Sequence, residues 1–474
     1  MNKFKQLLLI AVTSISVASC VKVNFNDEDG TGGDIDNGDP NQTRILTGSY
    51  LKNITLEGGT YTLKGYVYFT SGTTLTIPEG TILKSDVSQK GALIIERGAK
   101  IQANGSASKP IVFTSGKAPG SRARGDWGGI ILLGKAPTNR TLNPAPLIEG
   151  GVDRVYGGTI ANDTSGTMTY CRIEFAGIAA EPGSEINGLT LGGVGSGTKL
   201  EYIQVSYGND DAFEFFGGTV NAKYLAAYAA SDDDLDFDFG YTGKIQFAVV
   251  QRRPEIADTD AGNGVEADND GSGTTTAPFT RPTLSNITWI GPNGDAATQA
   301  NLNFANRWRR SVRFSVNNSI MMGFPKGGFV IESVNSYNDY ITTGNSEFKN
   351  NLVHAISDPY FTDSVTARSF SSYPANPLTS DQTKAMRKEV ALNIKTKAEA
   401  NGNTTYTDPN AIMLEAPFNW DTPNYLPKSG SPALAGANFT GMDAFFTTVT
   451  YRGAFGSTNW LSGWGSFTPQ TNTY

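Results

Sequence analysis

The chain has 474 residues, of which 18% are charged and 11% aromatic, and it carries a net charge of −7. The acidic balance argues against nucleic acid as a partner, because phosphates need a basic surface, and the aromatic content excludes a disordered chain. A single histidine, His354, excludes polyhistidine metal sites. The length allows several ordinary domains or one long repeat domain.

The pattern of the first twenty residues predicts an export signal. Lys3 and Lys5 precede a short apolar run over 7–17, which is too short to span a bilayer. The run ends in Ala18-Ser19-Cys20, which resembles the lipobox of bacterial lipoproteins. The resemblance implies a signal peptide over 1–19 and an acylated Cys20, carrying palmitate or a similar chain. The alternative is an ordinary signal peptide that happens to contain a cysteine.

The residues after Cys20 predict where the anchor sits. Val21 follows the cysteine where the resemblance would require Asp for inner-membrane retention, so we expect the outer membrane. Residues 20–44 are rich in Asp and Gly and predict a flexible acidic tether. Acidic residues here also resemble surface-export signals, which favours the cell surface over the periplasmic face. With Cys20 acylated, Cys171 cannot form a disulfide within the chain, and its apolar surroundings predict a buried free thiol.

The centre of the chain contains an internal repeat. Residues 200–218 align with residues 222–240 at an offset of 22, which places Ile203 over Leu225. The alignment extends to a third copy at the same offset, with Phe247 following Leu225, and to an earlier copy at an offset of 30, with Ile173 under Ile203. We therefore expect Ile203, Leu225 and Phe247 to form one inward ladder.

These repeats predict an all-β fold. Apolar residues alternate within each copy, as strands require, and a unit of this length with Gly, Asn and Asp turns is typical of one coil of a parallel β-helix. The competing leucine-rich repeat lacks its Leu/Asn consensus here. Downstream, Asn286, Asn318 and Asn351 each open an apolar strand. We expect a right-handed, single-stranded parallel β-helix over 45–370, the handedness following the rule for parallel crossovers.

Residues 371–474 are expected to form a C-terminal extension. Thr379 to Gln382 predict a capping box at the start of a helix over about 380–401. Met386, Val390 and Ile394 form one apolar stripe, which we expect to pack against the side of the β-helix. The aromatic residues near the end are expected to cap the last coil and protect its open edge: Trp420, Trp460, Trp464 and Phe467.

The repeats bring acidic residues into register. At an offset of 22, carboxylates stack between neighbouring strands about 4.8 Å apart, and like charges in such positions destabilise a sheet. A bound cation would offset the repulsion, and an all-oxygen ligand set suits Ca²⁺. The alternative is a solvated acidic turn in which Asp serves turn geometry. The candidate metal ligands are Asp210, Asp211, Glu214, Asp232, Asp233, Asp236, Glu266 and Asp268.

An arginine cluster forms a second candidate site. Arg307, Arg309 and Arg310 could contact an anionic ligand, since guanidinium groups bind carboxylate and phosphate. The same arginines could instead be local partners of the acidic residues, and we favour this second interpretation.

Several segments resemble a largely uncharacterised family of Gram-negative outer-membrane lipoproteins with a parallel β-helix. The segments are residues 91–100, 110–115, 125–129 and 451–456. The resemblance implies association with TonB-dependent outer-membrane transporters, and it supplies no established catalytic residues to carry over to this sequence. A broader likeness links the fold to pectate lyases and other polysaccharide-active β-helices.

Three functions of different class follow. The first is a non-catalytic surface lipoprotein that binds a ligand such as a glycan or serves a TonB-dependent β-barrel transporter as an accessory subunit. The second is a polysaccharide lyase or hydrolase with paired carboxylates as acid and base. The third is a structural or adhesive surface protein. The lipid anchor and the lack of a clear catalytic set in the sequence favour the first.

Overall fold

The computed structural model describes residues 38–181, 184–259, 261–373 and 377–474. The expected signal peptide, Cys20 and most of the tether lie outside these residues. The described residues contribute 26 strands to one continuous sheet whose long-range pairings are parallel. The sheet winds into a parallel β-helix, as predicted, in which each coil adds strands to three ladders.

The first two ladders share several long strands. The first ladder contains Ile54–Thr55, Thr74–Ile77, Lys100–Asn104, the first halves of Gly166–Glu174, Lys199–Ser206, Asn221–Tyr228, Lys244–Gln251 and Thr283–Ile290, then Ser315–Asn317 and Glu347–Lys349. The second ladder contains the first halves of Ile45–Tyr50 and Thr60–Phe69, then Ile82–Ser85 and Ile111–Ser115, the second halves of the five long strands, Ile320–Phe324, Leu352–Ala355 and Thr404–Thr405.

The third ladder carries the acidic residues. It contains the second halves of Ile45–Tyr50 and Thr60–Phe69, then Leu93–Ile95, Ile130–Leu133, Leu189–Gly192, Phe213–Phe216, Leu235–Asp238, Glu266–Ala267, Phe304–Arg309, Gly327–Glu332 and Asp358–Thr362. Two antiparallel pairs lie outside the β-helix: Ala179–Glu181 with Ser184–Glu185, and Leu414–Ala416 with Asn424–Pro427.

The interior of the β-helix is filled by the inward-facing side chains of all three ladders, which form one apolar cluster. The central repeat confirms the offset of 22, because Ile203 pairs with Leu225. The offset to the earlier copy is 32, since Cys171 and not Ile173 pairs with Ile203. The predicted offset of 30 was wrong, but it kept the correct face because side chains in a strand alternate with a period of two.

The third copy is shifted by one residue, so the predicted position of Phe247 was wrong. Leu225 pairs with Ala248, at an offset of 23. An extra residue lies between Asp238 and Lys244, where Tyr241 fills the interior. Because a one-residue shift reverses the two faces, Ala248 points inward, while Phe247 lies outside the interior cluster and stacks on Tyr224.

The bend between the first and second ladders is made by single residues with positive φ. Tyr170, Tyr202 and Tyr224 have φ between 51° and 59° and stack face to face with ring centroids 4.3 Å apart. A bulky residue in this conformation is strained, and the stacking offsets that strain. In later coils Asn286, Asn318 and Asn350 occupy the bend, since Asn tolerates this conformation. Asn351, which the sequence predicted to open the third of these strands, lies one position after the bend residue Asn350.

Four α-helices are present in the described residues: α1 Pro40–Thr43, α2 Val334–Asn338, α3 Ser364–Phe370 and α4 Ser380–Ala400. A short π-helix covers Asp339–Thr343, and 3₁₀ turns cover Pro409–Ile412 and Pro432–Leu434. The predicted capping box forms between Thr379 and Gln382. The predicted placement of α4 was wrong. Its buried stripe belongs to the interior cluster, and α4 packs on Asp358–Thr362, the last strand of the third ladder. It therefore covers the end of the β-helix.

The C-terminal segment, residues 406–474, runs back along the side of the β-helix. It leaves the last coil where the Tyr406 amide donates to Val353, and it ends near early coils, where Lys84 donates to the Tyr474 backbone. Trp460 and Trp464 pack edge-on against the stacked tyrosines of the bend. The expected aromatic cap on the last coil was therefore wrong: these rings cover a lateral surface.

Candidate functional site

Outward-facing side chains of the third ladder form a row of carboxylates. Thr190, Glu214, Asp236 and Glu266 are consecutive register partners. Phe213 and the other residues that alternate with the row point into the interior cluster. Carboxylate oxygens come within 4.8 Å of one another in three groups: Asp210 with Asp211 and Asp232, Asp211 with Glu214 and Asp236, and Asp233 with Asp236 and Glu266.

The row is more buried than a solvated turn would be. Asp211, Glu214 and Asp233 are each under one-tenth exposed. Burial, followed by the proximity of other carboxylates, raises the pKa of each of these three groups and of Asp210 and Asp236 well above its usual range.

Only some of this charge is offset by hydrogen bonds. The Asn187 amide donates to Glu214 and, at 3.1 Å, to Glu149 from an insertion after the third-ladder strand Ile130–Leu133. Asp211 accepts from the backbone amide of Asp233 at 2.7 Å, and Asp233 accepts from that of Asn263 at 2.6 Å. These last two bonds tie one coil to the next, so part of the acidic stack has a structural role.

The arginine cluster meets the later end of the same row. Arg307 lies 2.8 Å from both Glu266 and Glu332, and Arg309 pairs with Glu266 and with both oxygens of Asp268. Arg310 also reaches Asp268, at 2.8 Å. The arginines are therefore ion-pair partners of the acidic residues, as the favoured interpretation had it. Glu266 and Asp268 are engaged by guanidinium groups, whereas Glu214 and Asp236 have no ion-pair partner within the described parts of the chain.

Two residues singled out in the sequence are structural. His354 is 2% exposed and its Nδ1 accepts a hydrogen bond from the Gly323 amide at 3.1 Å. Cys171 is a buried free thiol, as predicted, and burial raises the pKa of that thiol far above its usual range.

A groove that the sequence did not reveal lies on the outer face of the first ladder. Its volume is about 520 Å³. Its floor consists of two outward rows that cross successive coils: Lys244, Thr283, Ser315 and Glu347, and, beside it, Asn317 and Lys349. The wall is formed by the C-terminal segment between Asn438 and Phe446. Since the wall comes from residues 438–446, far from the floor residues in the sequence, no local pattern could have predicted the groove.

The groove is polar and its charges are largely paired. Lys244 pairs with Asp443 of the wall at 2.9 Å, and Lys349 pairs with Glu347 at 2.6 Å. Arg281 also lines the groove and donates to the Asn345 backbone carbonyl at 3.0 Å, and the other polar lining residues carry hydroxyl or amide groups. The groove therefore suits a ligand that forms many hydrogen bonds over several coils.

Comparison with known proteins identifies a family for most of the chain. Residues 48–410 match the pectate-lyase-like β-helix domain. No curated protein and no solved structure gave a match. Among the described residues, none of the helices has the length and apolar character needed to cross a membrane. The family match spans all three ladders, α4 and the coils that carry both the carboxylate row and the floor of the groove. The chain is thus a member of the pectate-lyase-like β-helix domain family.

Proposed function

We propose that this protein is a non-catalytic binding protein of the bacterial outer membrane that holds a glycan in the groove on the first ladder. The observation that carries the proposal is the repetition of polar groups along the groove. Thr283, Ser315 and Glu347 are register partners on successive coils, and Asn317 and Lys349 are register partners in the row beside them. Strands of neighbouring coils lie about 4.8 Å apart, close to the length of one sugar residue, so a linear glycan can meet equivalent donors and acceptors repeatedly.

The state of the charged residues favours binding over catalysis. A β-helix lyase needs an arginine or lysine free to take a proton from the sugar. Arg307 and Arg309 are each held by two carboxylates. Lys244 and Lys349 are each held by one carboxylate, and the groove-lining Arg281 donates to the Asn345 backbone carbonyl at 3.0 Å. The carboxylates of the row have raised pKa values but are mostly buried, which keeps a polymer from reaching them.

Binding is tested by calorimetric titration of the purified full chain with oligogalacturonate and with a neutral oligosaccharide of the same length. We expect micromolar to millimolar binding of at least one of them, reduced about tenfold by Lys349→Met or Thr283→Val, since a lost hydrogen bond to a ligand costs roughly 1.4 kcal/mol. Lys326→Met, on an exposed lysine of another face, is the matched control. Equal binding by all variants would contradict the groove as the binding site.

The second candidate function is a polysaccharide lyase, which the family match supports at the level of the fold. A lyase releases unsaturated sugars that absorb ultraviolet light. Absorbance that rises on incubation with a uronate polymer, and is lost in Lys244→Met or Lys349→Met, would replace the binding proposal with an enzymatic one. A hydrolase would instead release reducing ends without that absorbance.

The anchoring residue of this proposal is Cys20. The lipobox-like segment supports acylation at that cysteine, and several acyl chains on one residue anchor a protein stably where one chain does not. We expect wild-type protein to incorporate a palmitate analogue and to fractionate with the outer membrane, facing the cell surface. Cys20→Ser should lose the label and become soluble. An unlabelled wild type would contradict the anchor.

The partner in this proposal is a TonB-dependent β-barrel transporter. A shared membrane raises the effective concentration of the two proteins for each other, and the acidic tether provides reach. Purification of the tagged protein from outer membranes in mild detergent should recover a barrel in stoichiometric amount. Recovery of the protein as an isolated monomer would contradict the partnership, and recovery as a homo-oligomer would favour an adhesive role.

A further inference from the structure

Within the described residues, one group of acids in the carboxylate row forms no ion pair with a cation. Arg309, which pairs with Glu266 and Asp268, acts on Asp236 of this group only through its charge. Asp211, Glu214 and Asp236 offer oxygens within 4.8 Å of one another. The neighbouring group that contains Glu266 lies against Arg307 and Arg309, which disfavour a second cation. Like charges on adjacent strands destabilise a sheet, so the central group needs a compensating charge.

A second observation independent of the acids points to the same place. Thr190 precedes Glu214 in the row, and its neighbours Leu189 and Leu191 face the interior, so its side chain lies on the outer face beside Glu214. Thr190 is 1% exposed, and its hydroxyl has no hydrogen-bond partner in the described part of the molecule. A buried hydroxyl without a protein partner is uncommon, and a bound ion or water beside Glu214 would complete its bonding.

We propose that Asp211, Glu214 and Asp236, together with the hydroxyl of Thr190, hold one calcium ion between successive coils of the third ladder. All four donors are oxygen, which suits a hard cation. Calcium accepts six to eight oxygens in irregular geometry and completes its shell with water, whereas magnesium demands a near-octahedral set. The ion links three coils, those of Thr190, Glu214 and Asp236, and its role is to stabilise the β-helix.

This site is independent of the proposed glycan binding. The row lies on the third ladder and the groove on the first, so loss of the calcium site leaves the donors of the groove in place. Failure of glycan binding would not bear on calcium, and failure of calcium binding would not bear on the groove.

The test is calorimetric titration of the chelator-stripped full chain with calcium chloride, together with its melting temperature in chelator and in calcium. We expect one ion to bind, and the melting temperature to rise by about 3 °C at a calcium concentration of roughly 100 times the dissociation constant, because the ion binds only the folded state. Magnesium at the same concentration should give a smaller rise.

Two variants and a control locate the ion. Asp236→Asn should abolish the calcium response yet melt at or above the wild-type temperature in chelator, because it removes a repulsive charge. This outcome separates a lost site from a failure to fold. Thr190→Val should weaken binding about tenfold. Glu201→Gln, which removes a carboxylate paired with Lys199 on the first ladder, should respond as wild type.

Three results would overturn the proposal. The first is the absence of both binding heat and a melting shift in the wild type. The second is an unchanged calcium response in Asp236→Asn. The third is an equal loss of response in Glu201→Gln, which would indicate a general effect of surface charge.

Discussion

Side-chain amides on the surface of the β-helix hold the C-terminal segment in place. The Gln246 amide accepts from the Thr447 backbone amide and donates to its carbonyl, both at 2.8 Å. Gln204 makes the same pair of bonds with Ser466, and Asn318 with Asn438. Each side-chain amide thereby forms the same pair of hydrogen bonds that the backbone of a neighbouring strand would form. A lone Gln on a strand looks like an ordinary outward residue in the sequence, so this contact could not be predicted.

Replacement of Gln246 should therefore destabilise the protein. Gln246→Leu leaves the Thr447 backbone groups without partners, and we expect a loss of about 1–3 kcal/mol in the free energy of unfolding. Urea denaturation measures it. Gln299→Leu, in an exposed loop where the amide bonds only locally, should change stability by less than about 0.5 kcal/mol. Equal effects of the two changes would show that the amide pair contributes nothing.

The thiol of Cys171 should be unreactive in the folded protein. Burial raises its pKa, so the thiolate, which is the reactive form, is absent at pH 8.5, where an exposed cysteine would be about half ionised. Alkylation followed by peptide mass analysis should leave the Cys171 peptide unmodified in buffer and modify it in denaturant. Rapid modification in buffer would contradict the inward position of this residue.

At the scale of elements, α4 closes the interior of the β-helix at its C-terminal end. Met386, Val390, Ile394 and Ala398 are fully buried and join the interior cluster. The sequence predicted the start of the helix and its apolar stripe, because capping and periodicity are local properties. It could not predict which apolar surface the stripe would meet, since the side and the open end of a β-helix both present apolar residues.

The helix offers a matched pair of substitutions. Ile394→Ala should cost about 2–5 kcal/mol, the usual range for truncating a buried aliphatic side chain. Leu392→Ala, two positions away and 59% exposed, should be close to neutral, because Ala also favours a helix. Chemical denaturation of both variants provides the measurement. If the two variants lose the same stability, α4 does not seal the interior.

At the scale of the whole molecule, the sequence predicted the class of fold and the neighbourhood of the acidic residues. Alternation and the 22-residue spacing of Ile203 and Leu225 were sufficient for this, because two coils of equal length align without gaps. The offsets of the flanking coils were wrong where insertions change coil length, as before Phe247. The groove could not be predicted, because its wall returns from the far end of the chain.

The molecule has two separate outer surfaces with different chemistry, and the returning C-terminal segment forms the wall of one of them. One is the acidic row of the third ladder, where Arg307 and Arg309 neutralise the later end. The other is the groove of the first ladder, where Lys244 and Lys349 are paired within the protein. We therefore expect ligand affinity at the groove to depend weakly on salt, since recognition rests on hydrogen bonds more than on net charge.

Hydrogen–deuterium exchange of the full chain, with and without a saturating oligosaccharide, tests the central claim of glycan binding in the groove most directly. We predict slower exchange in the ligand-bound protein at residues 438–446 and in the strands Ser315–Asn317 and Glu347–Lys349, with no change at α4. Protection confined to α4 or to the third ladder, or no protection at any peptide at saturation, would contradict the account.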